Sequence, residues 1–194
     1  STPAPCRSAA MKTLLKLADL IDEASDRLGR LVMWAAGLLV LVQFSVVVLR
    51  YAYGSSFIWM QEGVVYLHAA LFMLAIGYAY LHDGHVRVDV LYAEWSPRAK
   101  ALADLLGITI AVLPFCALVI WACWSYVSIS WRLREGPMSV GGLPFLFVLK
   151  SLIPAMAVLL GLQAVAIGLR ATAVLTGHAT THFPRQAAGG GHGG

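Results

Sequence analysis

This sequence predicts an all-α fold: a polytopic membrane protein with four transmembrane helices plus amphipathic surface helices. Three observations carry that prediction. Of the 194 residues, 59% are hydrophobic and only 12% are charged, about half the charged share of an ordinary soluble domain. The apolar residues gather in four runs, at 31–49, 64–81, 101–126 and 145–169, each near the ~20 residues that a helix needs to cross a bilayer. Trp, Tyr and basic residues flank the runs, as interfacial anchors do.

The chain divides accordingly into an N-terminal tail with an amphipathic helix (1–30), a four-helix membrane domain (31–169) and a flexible C-terminal tail (170–194). Met11-Lys12 reads as a start, and Gly189 to Gly194 as a flexible end. Between them, Leu14, Leu17, Ala18, Ile21 and Leu28 approximate one helical stripe, while Asp19, Asp22, Glu23, Asp26 and Arg27 fill much of the rest. Such a helix can lie on a membrane surface. The alternative is a simple soluble extension of the first span. That span is interrupted chiefly by Gln43, carries Trp34 near one end, and closes on Arg50 with Tyr51 and Tyr53 beyond it. Gly54-Ser55-Ser56 makes a short turn.

The second span is entered through an aromatic and acidic cluster, Trp59 and Glu62. Its small residues (Ala69, Ala70, Ala75, Gly77, Ala79) allow a neighbouring helix to approach closely. His68, one turn inside, is expected to be packed and hydrogen-bonded between helices. A polar knot follows: His82, Asp83, Gly84, His85, Arg87 and Asp89. Too polar for hydrocarbon, it marks a membrane surface. As a short surface helix it would pair Asp83 with Arg87 and His85 with Asp89, each four residues apart.

Ser96-Pro97 is a helix start, with Ser as the cap and Pro in the first turn. The third span follows, with an expected kink at Pro114 and an aromatic belt of Trp121, Trp124, Tyr126 and Trp131 at its far end. Residues 132–142 form a loop turning at Gly136-Pro137. The fourth span contains Pro154, which again predicts a kink. Lys150 lies inside its first turns. Snorkelling to the interface is the expected state for this cation, and pairing with a carboxylate on another helix is the alternative.

With four spans, both tails and the middle loop share one side of the membrane. That side holds ten Lys and Arg residues, against four on the other (Arg50, Arg132, Arg134 and Lys150). Both termini are therefore expected in the cytoplasm.

Little in the chain suggests chemistry. Cys116 and Cys123 lie seven apart on one apolar helix, about 10 Å along its axis and too far for a disulfide. A bis-histidine haem, as in an electron-transfer membrane anchor, needs ligands on facing helices, but the first, third and fourth spans hold no histidine. His82, Asp83, His85 and Asp89 have the residue types of a zinc site at the spacing of no familiar one. No nucleophile–base pair or phosphate-binding loop supports an enzyme, and the basic residues form no nucleic-acid stripe. No cofactor and no metal is expected. A small independent channel or carrier is the further alternative, although the spans lack central acidic residues and repeated halves.

Taken together, these residues resemble the small membrane subunit (DctQ-like, or Q) of tripartite ATP-independent periplasmic (TRAP) transporters. The resemblance rests on Arg50 after span one, Trp59-Met60-Gln61-Glu62, Gly77, and Gly84-His85-Val86-Arg87-Val88-Asp89. It continues through Ser96-Pro97-Arg98, Leu143-Pro144 and Ile153-Pro154. The family often has two acids after the tryptophan; here the first is Gln61, which leaves Glu62 as the matched acid.

The resemblance implies a subunit of the bacterial inner membrane surrounded by lipids. Its implied partners are a large membrane (M) subunit carrying the substrate and sodium sites, and a periplasmic substrate-binding (P) protein that delivers an organic acid. The small subunit would support the large one, driven by an ion gradient and not by ATP. On that reading Arg50 and Glu62 pair or meet the partner at the outer surface. His85, Arg87 and Asp89 fix the cytoplasmic surface helix, and the 132–142 loop meets the binding protein.

Overall fold

A computed structural model describes residues 5–82, 96–137 and 139–176. Its helices are α1 (Pro5–Ala52), α2 (Ile58–Leu81), α3 (Pro97–Gly107), α4 (Leu113–Leu133) and α5 (Leu146–Leu175), with a π turn, Ile108–Val112, joining α3 to α4. Four helical segments are long and apolar enough to cross a membrane: Thr13–Ala52, Ile58–Leu81, Arg98–Leu133 and Leu146–Leu175. Among the described residues the structure is helical with four candidate spans, as the predicted all-α class requires. The polar knot from Asp83 to Asp89, with its candidate residues His85, Arg87 and Asp89, lies outside the described residues.

α1 joins the N-terminal stretch to the first span. It is a single helix of 48 residues, about 72 Å long and more than twice the thickness of a bilayer core. The N-terminal stretch is thus an extension of the first span. Leu14 and Leu17 are exposed, whereas Asp22 and Ser25 are buried. The physical cause is the polar partner that α5 brings to this face, described below.

α5 is the centre of the bundle. It packs against α1, α2, α3 and α4, and most of the core residues belong to it. Two rows run along it at intervals of seven: Ala157, Ala164 and Ala171, then Leu160, Ile167 and Val174. This small-and-large seam is what lets helices approach and interlock in a membrane bundle. The antiparallel partner supplies Ala101 against Ala171 and Val174, Ile108 against Ala164 and Ile167, and Cys116 against Ala157 and Leu160.

The start of α3 is as read from sequence: Ser96 Oγ accepts from the Ala99 amide at 3.3 Å, with Pro97 in the first turn. The expected break at Pro114 takes the form of the π turn just ahead of it, where the Leu113 amide donates to the Ile108 carbonyl. Proline has no N–H for the carbonyl four residues back, so the α ladder is interrupted there in any case. α5 continues through Pro154 and past residue 169 to Leu175.

α1 lies against α2 at close range through Gly29. A Cβ at that position would stand 2.1 Å from the Tyr78 ring, so only glycine admits this approach. At the other end of the pair, Gly54 (φ 62°) turns the chain, and the Ser55 amide closes on the Leu49 carbonyl at 3.0 Å.

Candidate functional site

The polar side chains with tertiary partners gather at the two ends of the bundle. At the end where α1 begins and α5 ends, Asp19, Asp22 and Asp26 recur at helical spacing along α1, and Gln163 and Arg170 stand seven apart on α5. The two faces meet. Arg170 donates to Asp22 and to Asp19, Gln163 Nε2 donates to Asp22 Oδ1 at 2.6 Å, and Ser25 Oγ donates to Gln163 Oε1 at 2.8 Å. Ser25, Asp22, Gln163 and Arg170 are all buried. Burying a guanidinium is costly unless it is paired, and here two carboxylates accept from it.

α2 joins the same end through its C-cap. His82 Nδ1 lies 3.1 Å from the Tyr78 carbonyl, which fixes that nitrogen as a donor, and its ring stacks on Tyr78 with centroids 4.0 Å apart. Its Nε2 faces Asp26 Oδ1 at 3.4 Å, and Asp26 also pairs with Arg30 at 3.2 Å. A small open cleft of about 230 Å³ lies between Asp19, Asp22, Asp26, His82 and Arg170. Among the described residues, no group of three or more His, Cys, Asp or Glu side chains is arranged to hold a metal ion.

At the opposite end, Arg134 ends α4 in the left-handed region (φ 43°), and the chain turns back toward α5. Glu135 accepts from Ser130 Oγ at 2.6 Å and from Lys150 Nζ, and the ammonium sits 4.1 Å over the Tyr126 ring. Lys150 and Ser130 hold the Glu135 carboxyl below its ordinary range. The Trp131 indole N–H donates to Ser151 Oγ at 2.7 Å, and its ring meets Phe147 edge-on. These contacts clamp the end of α4 to the start of α5. Beside them an open cleft of about 770 Å³ lies between α2, α4 and α5, lined by Met73, Tyr126, Lys150 and Ile153 among others.

Glu62 makes a third tie. Its Oε2 accepts from the Leu143 amide at 2.7 Å, pinning the first turns of α2 to the loop ahead of α5. Gly142 makes room for it, since a Cβ there would stand 2.3 Å from the carboxylate.

The sequence-selected residues therefore fare differently. Glu62 binds the loop backbone and not Arg50, which is exposed in the last turn of α1. Trp59 is half exposed in the first turn of α2, with Phe57 at 6.3 Å. Lys150 takes the paired state and not the snorkelled one expected for it, because the turn at Arg134 places Glu135 beside it. His68 departs furthest from its expectation. It is exposed in a groove between α1 and α2, and among the described residues no hydrogen bond reaches its side chain.

The buried network of Asp22, Gln163 and Arg170 was not singled out by sequence. A signal for it exists: a glutamine and an arginine seven apart face carboxylates on a helix otherwise read as amphipathic. In a chain with so few charges, two polar faces of that kind find each other.

A family model described as "Tripartite ATP-independent periplasmic transporters, DctQ component" matches residues 26–173. The chain belongs to this DctQ family. It is also similar to the C4-dicarboxylate TRAP transporter small permease protein DctQ of Vibrio cholerae serotype O1 (strain ATCC 39315 / El Tor Inaba N16961), at 26% identity over 96 residues. That match takes in 50% of this chain and 41% of the relative, so the chain spans well under half of the curated relative in the matched part. No solved structure matches. The DctQ family is one of transporter components, not of enzymes. Its matched region takes in Glu62, Glu135, Lys150, Gln163 and Arg170, and begins after Asp19, Asp22 and Ser25.

Proposed function

We propose that this chain is the small permease subunit of a TRAP-type secondary transporter and acts as a scaffold for a large, ion-coupled membrane subunit. The observation that carries this reading is the DctQ match over residues 26–173. The use of the polar residues supports the scaffold part. Arg170, Gln163, Glu62, Glu135 and Lys150 all join one element of the bundle to another. Groups committed to such ties stiffen a support, whereas a carrier needs polar groups held ready for a solute at mid-membrane.

On this reading the chain lies in the bacterial inner membrane with both termini cytoplasmic, as the distribution of Lys and Arg favours. The Asp22–Arg170 network then stands at the cytoplasmic end and the Glu62 and Glu135 ties at the periplasmic end. A periplasmic binding protein delivers an organic acid, the large subunit moves it with a sodium gradient, and the small subunit holds that subunit in the bilayer. Arg50 and Trp59 remain candidates for outer-surface contact with a partner. His85, Arg87 and Asp89 remain candidates for fixing the cytoplasmic surface segment.

Purification from native membranes in mild detergent, with companions identified by mass spectrometry, tests the proposal. The expected result is a stoichiometric, much larger polytopic chain. A protein that purifies alone and supports solute flux in liposomes by itself would overturn it.

A further inference from the structure

The groove between α1 and α2 has an unusual lining. It is an open cavity of about 490 Å³ walled by Val40, Phe44, Val47 and Val64, and it holds two polar side chains, Gln43 and His68. Both are exposed, and among the described residues neither has a hydrogen-bond partner. Several other polar side chains on spans are paired: Gln163 with Ser25 and Asp22, Lys150 with Glu135, Ser45 with the Leu41 carbonyl.

Depth makes this lining significant. Gln43 stands two turns before Arg50 and His68 a turn and a half after Glu62, which puts each about 10 Å inside that end of a hydrocarbon core ~30 Å thick. Neither side chain is long enough to reach water from there. An acyl chain offers neither donor nor acceptor, so lipid in this groove would leave an amide and an imidazole unsatisfied. The groove therefore calls for an occupant that is apolar along its length and carries a hydrogen-bonding group at one level.

We propose that this groove docks a transmembrane helix of the large permease subunit, which places a Ser, Thr, Asn or Gln side chain between Gln43 and His68. The amide of Gln43 both donates and accepts, and a neutral imidazole offers one of each, so a neutral polar side chain satisfies both. Val40 and Val47, three residues before Gln43 and four after it, give apolar shoulders on either side of that level. The outward face of α4, with Leu118, Trp121 and Trp124, is instead an apolar and aromatic surface suited to lipid. This assignment rests on the subunit reading above and adds to it the face and the chemistry of contact.

The test uses the full chain in native membranes, with a photo-crosslinking residue at Val40 or Val47 in the groove, or at Leu118 on α4 as control. The expected result is adducts from the two groove positions to one large polytopic chain, identified by mass spectrometry, and none from Leu118. The double variant Gln43→Leu/His68→Leu should lower the yield of that adduct roughly five- to tenfold, the share of two average interhelical hydrogen bonds. Gln43→Met, closer in shape, should lower it less and in the same direction.

The isolated double variant should keep its thermal midpoint, because neither side chain has a partner within the chain. Lipid adducts alone from the groove, with the large chain captured from Leu118, would overturn the face and leave the subunit reading intact. Groove adducts whose yield ignores both substitutions would overturn the hydrogen-bonded docking. Capture of no large chain from any position, with the protein purifying alone, would overturn both.

Discussion

Arg170 of α5 and Asp22 of α1 are paired across 148 positions of sequence, and both are buried. The pair joins the first and last helices and also organises Gln163 and Ser25 around it. A buried pair adds little net stability over apolar packing, but breaking one side of it leaves an uncompensated charge.

Asp22→Ala is therefore expected to lower unfolding stability in detergent by about 3 kcal/mol. The double substitution Asp22→Leu/Arg170→Leu should cost clearly less than either single one. Equilibrium unfolding measured by circular dichroism decides it. A single-site loss within about 0.5 kcal/mol would show that the pair is not isolated from water.

The contact of Glu62 with Gly142 makes a second expectation. Gly142→Ala should push the carboxylate off the Leu143 amide and cost about 1–3 kcal/mol, the loss of a charged hydrogen bond at a partly buried site. Glu62→Ala should cost a similar amount, and the two should not add. Full additivity in a double-mutant cycle would place their effects elsewhere.

Gly29→Ala should destabilise the α1–α2 packing by about 1–3 kcal/mol through overpacking. Shortening the neighbour to Tyr78→Ala should rescue it only in part, because the Cβ of Tyr78 itself would lie 2.7 Å from the new methyl. Complete rescue would mean that the helices can separate freely at this point. The readout is the thermal midpoint of the three variants.

Glu135 gives the clamp between α4 and α5 an acid limit. Its pKa is lowered in the fold from 4.5, first by the Lys150 hydrogen bond and then by Ser130. A carboxyl depressed in the folded state contributes stability that is fully present above its unfolded value and is lost as pH falls through the folded one. The thermal midpoint should therefore decline below about pH 4.5, and Glu135→Gln should flatten that part of the profile. An unchanged acid limb in Glu135→Gln would assign the decline to other carboxyls.

The fold was legible because hydrocarbon imposes it. Four apolar runs of sufficient length leave the backbone only helices to form, and Ser96-Pro97 marks a start that the structure keeps. The ties between helices were harder to read. Asp19, Asp22 and Asp26 look like a solvated face until Arg170 is brought to them from the far end of the chain, and sequence spacing carries no record of that meeting. Lys150 and His68 fail for the same reason in opposite directions. The partner of Lys150 depends on a left-handed turn at Arg134, a residue type that rarely adopts one. His68 was expected to be satisfied within the bundle, and the bundle leaves it facing outward.

The π turn at Ile108–Val112 has a consequence for how faces are counted along this helix. Ala101, Ile108, Cys116 and Ser130 are its buried residues, spaced by seven, then eight, then fourteen. The wide turn absorbs the one residue in excess, and without it the seam would fall out of phase by about 100° at Cys116. A wheel drawn through residues 97–133 on a constant period therefore misassigns the lipid and protein sides of α4. Deleting a single residue between 108 and 112 would remove that excess, restore a regular helix and leave Cys116 and Ser130 in phase with Ala101 and Ile108.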